Sequence, residues 1–257
     1  MGASRAPLAR HVWVISLLAS LACARVALAH RVDPPPPLGF DPPPPGSYAL
    51  LRIMPAPDGD VLGIDGRTQR LSRFTRNRIT LLGFIYTTCV DPEGCPLAYR
   101  VFDTLKQTIV GAPALRGRIQ FVTLSFDPAR DSPAVMRFYA GSRARNERGG
   151  LRWYFLTTRS ARELMPLVEG FGQDIRYTVD RTDHQPRREL SHVLKVFLID
   201  RAGFIREIYT STFLYPKIVL NDIETLLQEE TALKGASQAS RPSVRKSRFA
   251  GRGRGAR

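Results

Sequence analysis

The run Ile79 to Tyr86 (ITLLGFIY) is almost continuously apolar and short, which predicts a central strand buried on both faces. Pro96 then opens a helical pattern that places Leu97, Val101, Phe102, Leu105 and Ile109 on one face. Ile119 to Phe126 repeats the buried-strand pattern, and Ser132-Pro133 opens a second helix through Met136, Phe138 and Tyr139. Trp153 to Leu156 predicts a third strand. A helix follows from Ser160, which Pro166 should kink unless it lies close to the helix start. His192 to Asp200 and Phe204 to Tyr209 predict a hairpin around Arg201-Ala202-Gly203. The closing helix begins near Pro216 and aligns Val219, Ile223, Leu226 and Leu227. Strand, helix, strand, helix, hairpin and closing helix is the element order of an α/β thioredoxin-like fold, a central mixed sheet flanked by helices.

The flanks read differently. Arg5 and Arg10, the apolar run Val12 to Ala24 and the small residues Ala27-Leu28-Ala29 predict a signal peptide over 1–29, and hence export to the periplasm or cell envelope. That run spans 13 residues and ends at Arg25, well short of the roughly 20 a membrane-spanning helix needs, so cleavage is expected rather than anchoring. Cys23, in Ser20-Leu21-Ala22-Cys23, is a poor lipoprotein acceptor because Ser stands where Leu is expected. The proline-rich stretch 30–46 predicts a stiff extended spacer. The folded body is expected over 47–233. From Gly235 on there is almost nothing apolar to bury, so 234–257 is expected to be a disordered basic tail.

Charge changes the picture less than its total suggests. The chain has 257 residues and a formal net charge of +15. Eight Lys or Arg lie between Lys234 and Arg257, three precede Ala29, and neither segment holds an acid, which leaves only +4 for 30–233. A nucleic-acid partner is therefore not expected. An exported tail of this kind is better suited to anionic lipid heads or an acidic partner patch.

Cleavage of the signal would leave Cys89 and Cys95 as the cysteines of the mature chain. Both fall between a central strand and the helix it feeds, where open α/β sheets place ligand sites. Asp91, Pro92 and Gly94 make the interval a turn that can bring the sulfurs together. Cys95, just before the helix, is the sulfur expected to gain from the helix dipole. Two thiolates suit a soft ion, and Cu(I) accepts the low coordination that two Cys and one His supply. Of His11, His30, His184 and His192, the last is expected at the start of a rigid strand and is the best placed third ligand.

The segments LLGFIYTTC, GCPLA, FVTLSFDPARDSPAVMRFYA and SHVLKVFLIDRAGFIREIY together resemble the Sco/SenC family over roughly 47–233. The most specific is Asp127-Pro128-Ala129-Arg130-Asp131-Ser132-Pro133, similar to the family's D-P-x-R-D-[ST]-P. The resemblance implies copper binding by Cys89, Cys95 and His192, with Cu(I) preferred over Cu(II). It also implies delivery of copper to an acceptor enzyme, such as a cytochrome c oxidase subunit, or reduction of that subunit's cysteines. Asp127 or Asp131 would orient the site from behind, or cap the helix after Pro133. The cysteine spacing here is C-x5-C where the family's usual spacing is C-x3-C, and eleven residues separate Asp180 from His192.

Two other classes remain open from the residues. A metal-free thiol-disulfide oxidoreductase would ordinarily carry C-x-x-C. A structural disulfide across this loop would close little chain and stabilise modestly. A peroxidase motif would need proline at position 82, where Leu82 stands.

Overall fold

The computed structural model describes residues 38–145, 150–180 and 187–239, without the side chains of 177–191 and 237–239. The expected signal peptide with Cys23, the linker as far as Pro37, His11, His30, His184 and the tail beyond Ala239 lie outside the described residues.

The chain enters through three short strands that the hydrophobic pattern did not reveal, β1 (Met54–Pro55), β2 (Asp60–Gly63) and β3 (Thr68–Arg70). A one-turn helix, α1 (Ser72–Thr75), leads to β4 (Ile79–Ile85), in which every residue is buried. The helix α2 (Cys95–Gly111), β5 (Ile119–Ser125), α3 (Pro133–Ala140), β6 (Arg152–Thr157) and α4 (Ala161–Gly170) follow as the periodicity predicts. Pro166 stands inside α4. A separate hairpin comes next, β7 (Ile175–Asp180) against β8 (Arg187–His192). The chain then re-enters the sheet through β9 (Val196–Ile199) and β10 (Phe204–Tyr209) and closes with α5 (Pro216–Ala239).

The main sheet has the order β1-β10-β9-β4-β5-β6-β2-β3. Strands β4, β5 and β6 run parallel at its centre, and β9 and β2 flank them antiparallel. Alternation along the central strands sends side chains to two cores. Ile79, Leu81, Phe121, Trp153 and Leu198 meet α2, α3 and α5 on one face. Leu82, Phe84, Val122, Leu124 and Phe197 meet α1 and α4 on the other. Both faces of β4 are therefore dry, and this is why it reads as one unbroken apolar run.

Two boundaries differ from expectation. Residues 38–46 do not stand free as a spacer but lie along α5. The Gly46 amide donates to Thr225 Oγ1 at 2.9 Å and Asn221 Nδ2 donates to the Pro43 carbonyl at 2.8 Å. Proline carbonyls remain good acceptors even though prolines cannot donate. At the other end α5 continues to Ala239, past Gly235. Helix formers such as Ala232, Leu233 and Lys234 carry it beyond its last buried apolar position.

Candidate metal centre

Strand β4 ends at Ile85, and Tyr86 to Gly94 form the loop that carries Cys89. Its turn is built by Asp91, whose carbonyl accepts from the Gly94 amide at 3.0 Å and whose carboxylate accepts from the Glu93 amide at 3.0 Å. The turn returns the chain to the start of α2. Gly94 leaves room for the Cys89 sulfur, since a β-carbon there would lie 3.3 Å from it. Cys95 is the first residue of α2 and is buried, with Cys89 half-buried beside it.

The third group arrives from 97 positions downstream. His192 Nε2 lies 3.7 Å from Cys95 Sγ, and one ligand atom from each of Cys89, Cys95 and His192 falls within 4.8 Å of the other two. Neither cysteine is in a disulfide. The three residues singled out in the sequence are thus brought together. The imidazole does not open the strand of the main sheet as expected: it ends β8, paired with Ile175 in the separate hairpin, and β9 begins only at Val196. Gln173 holds the next stretch in place by donating from Nε2 to the Val193 carbonyl at 2.8 Å. Tyr86 and Phe126 wall the imidazole, with ring centroids 5.9 and 4.6 Å away. His192 Nδ1 is buried with no hydrogen-bond partner among the described residues, and the two aromatic rings pack the imidazole.

The electrostatics reverse one expectation. Cys89, not Cys95, is the sulfur held as thiolate. Its pKa is pulled down to about 3, first by the hydrogen bond from the Cys95 thiol, then by His192 and the amides of Cys95 and Asp91, against the cost of its burial. The Cys89 sulfur folds back against Gly94 at the start of α2, and the Cys95 amide there lowers its pKa, so the help of the helix end goes to Cys89 rather than to Cys95. Cys95 is pushed up because it donates its proton to Cys89 and because it is buried. The Tyr86 hydroxyl is likewise raised by burial and by its hydrogen bond with Cys89. Tyr86 was missed as a site residue in the sequence, where it reads only as the last position of the apolar run.

Asp131 is buried and lies behind the loop. Its carboxylate accepts from the Thr87 amide at 3.1 Å, the Thr87 hydroxyl at 2.5 Å and the Ser125 hydroxyl at 2.5 Å. It ties the cysteine loop to the end of β5. Asp127 accepts from Arg130 Nη1 at 2.8 Å, while its carbonyl takes the Arg130 and Asp131 amides. Neither acid caps α3, contrary to one expectation: Ser132 does, its Oγ accepting from the Val135 amide at 3.4 Å. Ser132 stands directly before Pro133 and so occupies the cap position that Asp131 misses by one residue.

A soft-metal donor set on a thioredoxin-like α/β sheet defines the class of protein. The SCO1/SenC family model matches residues 64–228, and the chain belongs to that family. Among solved structures, the chain is similar to copper-bound ScoI of Bradyrhizobium japonicum at 17% identity and a TM-score of 0.51, over 65% of this chain and 96% of that one. Apo Sco1 of Thermus thermophilus is similar at 21% identity and a TM-score of 0.52, over 72% and 94%. A SCO1/SenC lipoprotein of Bacillus anthracis is similar at 18% identity and a TM-score of 0.52, over 68% and 94%. Identities this low speak to the shared fold. No curated protein sequence matches the chain. Among the described residues, no helix is long and apolar enough to cross a membrane.

Proposed function

We propose that this protein is a copper metallochaperone. Cys89, Cys95 and His192 hold Cu(I) and pass it by ligand exchange to a copper enzyme, with a cytochrome c oxidase subunit the favoured acceptor. The observation that carries this reading is the convergence of two sulfurs and an imidazole within 4.8 Å. Two soft donors and one borderline donor fit Cu(I) and disfavour hard cations. Cu(II) is the second choice for the same three atoms. The half-buried, loop-borne Cys89 gives an incoming acceptor ligand an atom to displace first.

The similar ScoI structure holds copper and a similar relative is a lipoprotein. Both favour a copper-handling protein of the cell envelope, exported by the segment 1–29 and touching anionic lipid through the basic tail. Reduced protein, isolated and titrated with Cu(I), should take up one ion per chain and release it to an acceptor domain bearing its own Cys and His ligands. A chain that binds no copper with both thiols reduced ends this reading.

A second use of the same pair has one observation in its favour. A preformed thiolate at Cys89 beside a protonated Cys95 is the arrangement that attacks a disulfide and then resolves the mixed intermediate. The protein would then reduce an acceptor's cysteines before metallation. Reduction of such an acceptor by the metal-free protein, abolished by Cys89→Ser, would support it.

A further inference from the structure

The parallel strands begin at one pole of the sheet and end at the other, where Cys89 lies. At the starting pole Ile79, Ile119 and Arg152 lie at the strand starts, Ile79 paired with Ile119 and Arg152 with Gln120, while Ile199 at the end of β9 pairs with Thr80. A cavity of about 440 Å³ opens there, lined by Arg73, Arg76, Arg78 and Arg152 together with Asp65 and Tyr154. None of the four arginines lies within ion-pair distance of a carboxylate among the described residues, and Asp65 is paired at 3.8 Å with Arg67. Asn77 turns the chain between Arg76 and Arg78 with a left-handed φ of 67° and anchors it by donating its amide to the Arg201 carbonyl at 2.9 Å. Asparagine tolerates that conformation better than most residues, so the turn that displays the two arginines is built into the sequence.

Helix α5 also ends at this pole. Glu230 pairs there with Arg118 at 3.3 Å and with Arg201 at 3.4 Å, and Lys234 lines a shallow cleft with Arg52 and Arg201. Beyond Ala239 the sequence continues with seven more Lys or Arg and no acid. The four arginines without an ion pair among the described residues and the α5 segment around Glu230 and Lys234 therefore lie at the same pole.

We propose that this arginine pole docks the folded domain on an anionic lipid surface, with phosphate-bearing head groups entering the cavity among Arg73, Arg76, Arg78 and Arg152. Guanidinium forks suit phosphate oxygens, and four unpaired ones around a head-group-sized cavity bring no desolvated partner of their own to lose. Docked this way, Cys89, Cys95 and His192 face away from the bilayer, open to an acceptor. This goes beyond the contact proposed for the tail, because it assigns a surface of the fold and an orientation.

The full chain should partition onto phosphatidylglycerol-containing vesicles over phosphatidylcholine vesicles, and added salt should weaken it. The variant Arg73→Gln/Arg76→Gln/Arg78→Gln/Arg152→Gln, with the tail intact, should lose at least about tenfold in that preference, given the contribution of each basic group near an anionic surface. Its thermal melt and its Cu(I) stoichiometry should match the parent, since three of these side chains are exposed and all lie at the pole away from the sulfurs. A parent chain that partitions onto anionic vesicles but takes up no Cu(I) would count against the metallochaperone reading and leave this one standing. On anionic vesicles, Cys89 should react with a membrane-impermeant maleimide as fast as in solution. A quadruple variant that partitions like the parent, or a Cys89 shielded by the vesicle, overturns the proposal.

Discussion

Cys95 Sγ and His192 Nε2 stand 3.7 Å apart although 97 positions separate them. The sulfur is fixed by the first turn of a helix packed on the sheet, and the imidazole by the last position of a hairpin that belongs to no other sheet. Removing the ring should therefore change metal affinity far more than stability. His192→Ala is expected to weaken Cu(I) binding by at least about tenfold, since even partners behind a metal ligand are worth 10–100-fold. Competition against a Cu(I) chelator reads this directly, and a variant that binds as tightly as the parent would remove His192 from the ligand set.

The asymmetry between the sulfurs predicts an asymmetry in reactivity. In the metal-free reduced protein, Cys89 should be alkylated by iodoacetamide at a rate that stays flat into acid pH, falling only as pH approaches about 3. Cys95, buried and protonated, should react slowly throughout. Because the hydrogen bond from Cys95 is the largest cause of the low Cys89 pKa, Cys95→Ala should move the Cys89 profile upward in pH. Residue-resolved mass spectrometry distinguishes the two sites, and a Cys89 rate that climbs only near the ordinary thiol range would refute the assignment.

Much of this arrangement was legible in the sequence, and the failures have identifiable causes. Strands β4 and β5 are buried on both faces, so their apolar runs announced them without ambiguity. Strands β1 to β3 have at most four residues each; β1 and β3 are the sheet edges with nothing fully buried, and β2 buries only Val61 and Gly63, so little hydrophobic signal is left. The hairpin that carries His192 was missed because RRELSH is polar. The three candidate ligands were singled out by their residue chemistry, their places on the chain and the family resemblance, and they do converge. The ordering of the two thiol pKa values was not legible in that way, because it depends on where the Cys89 sulfur folds back over α2, a fact of three-dimensional geometry that chain position cannot report.

Asp131 offers a test of how the loop is held. Its carboxylate gathers the half-buried Thr87 twice and the buried Ser125 once. Asp131→Ala leaves the buried Ser125 hydroxyl and the half-buried Thr87 donors without that acceptor, at a cost of about 1–3 kcal/mol of folding stability. Urea denaturation should show that loss. Copper affinity should fall with it, because Thr87 lies two residues before Cys89. An unchanged midpoint would mean that water replaces the carboxylate without penalty.

A pH effect on stability is expected from a group outside the three candidate ligands. Asp222 accepts from Tyr48 at 2.5 Å and Tyr209 at 2.6 Å, yet its pKa is raised because desolvation outweighs both hydrogen bonds. A folded pKa above the unfolded one means that the fold binds the proton more tightly. This stabilisation is complete below the ordinary carboxylate range and is lost as pH rises through the raised value. Asp222→Asn should abolish that downward slope while keeping a neutral amide in place. Chemical denaturation from acid to neutral pH measures it, and a slope that survives in the variant would place its origin elsewhere.

Gly94 gives the narrowest test of the site's geometry. A β-carbon at this position would lie 3.3 Å from the Cys89 sulfur and 3.3 Å from Asp91 Cβ and Oδ2. Contacts that close require the neighbours to shift by a few tenths of an ångström, and the sulfur, carried on a loop, is freer to move than the backbone of α2. Gly94→Ala should thus displace Cys89 from the helix amides while leaving the two cores untouched. Two coupled changes follow: the Cys89 pKa rises as its amide hydrogen bonds lengthen, and Cu(I) affinity falls as the three ligand atoms spread beyond their present separation. Alkylation profiles and chelator competition on one preparation report both, with circular dichroism to confirm the fold. Should affinity drop with the Cys89 profile unmoved, the glycine would matter for metal access alone, and the thiolate would owe nothing to the helix end.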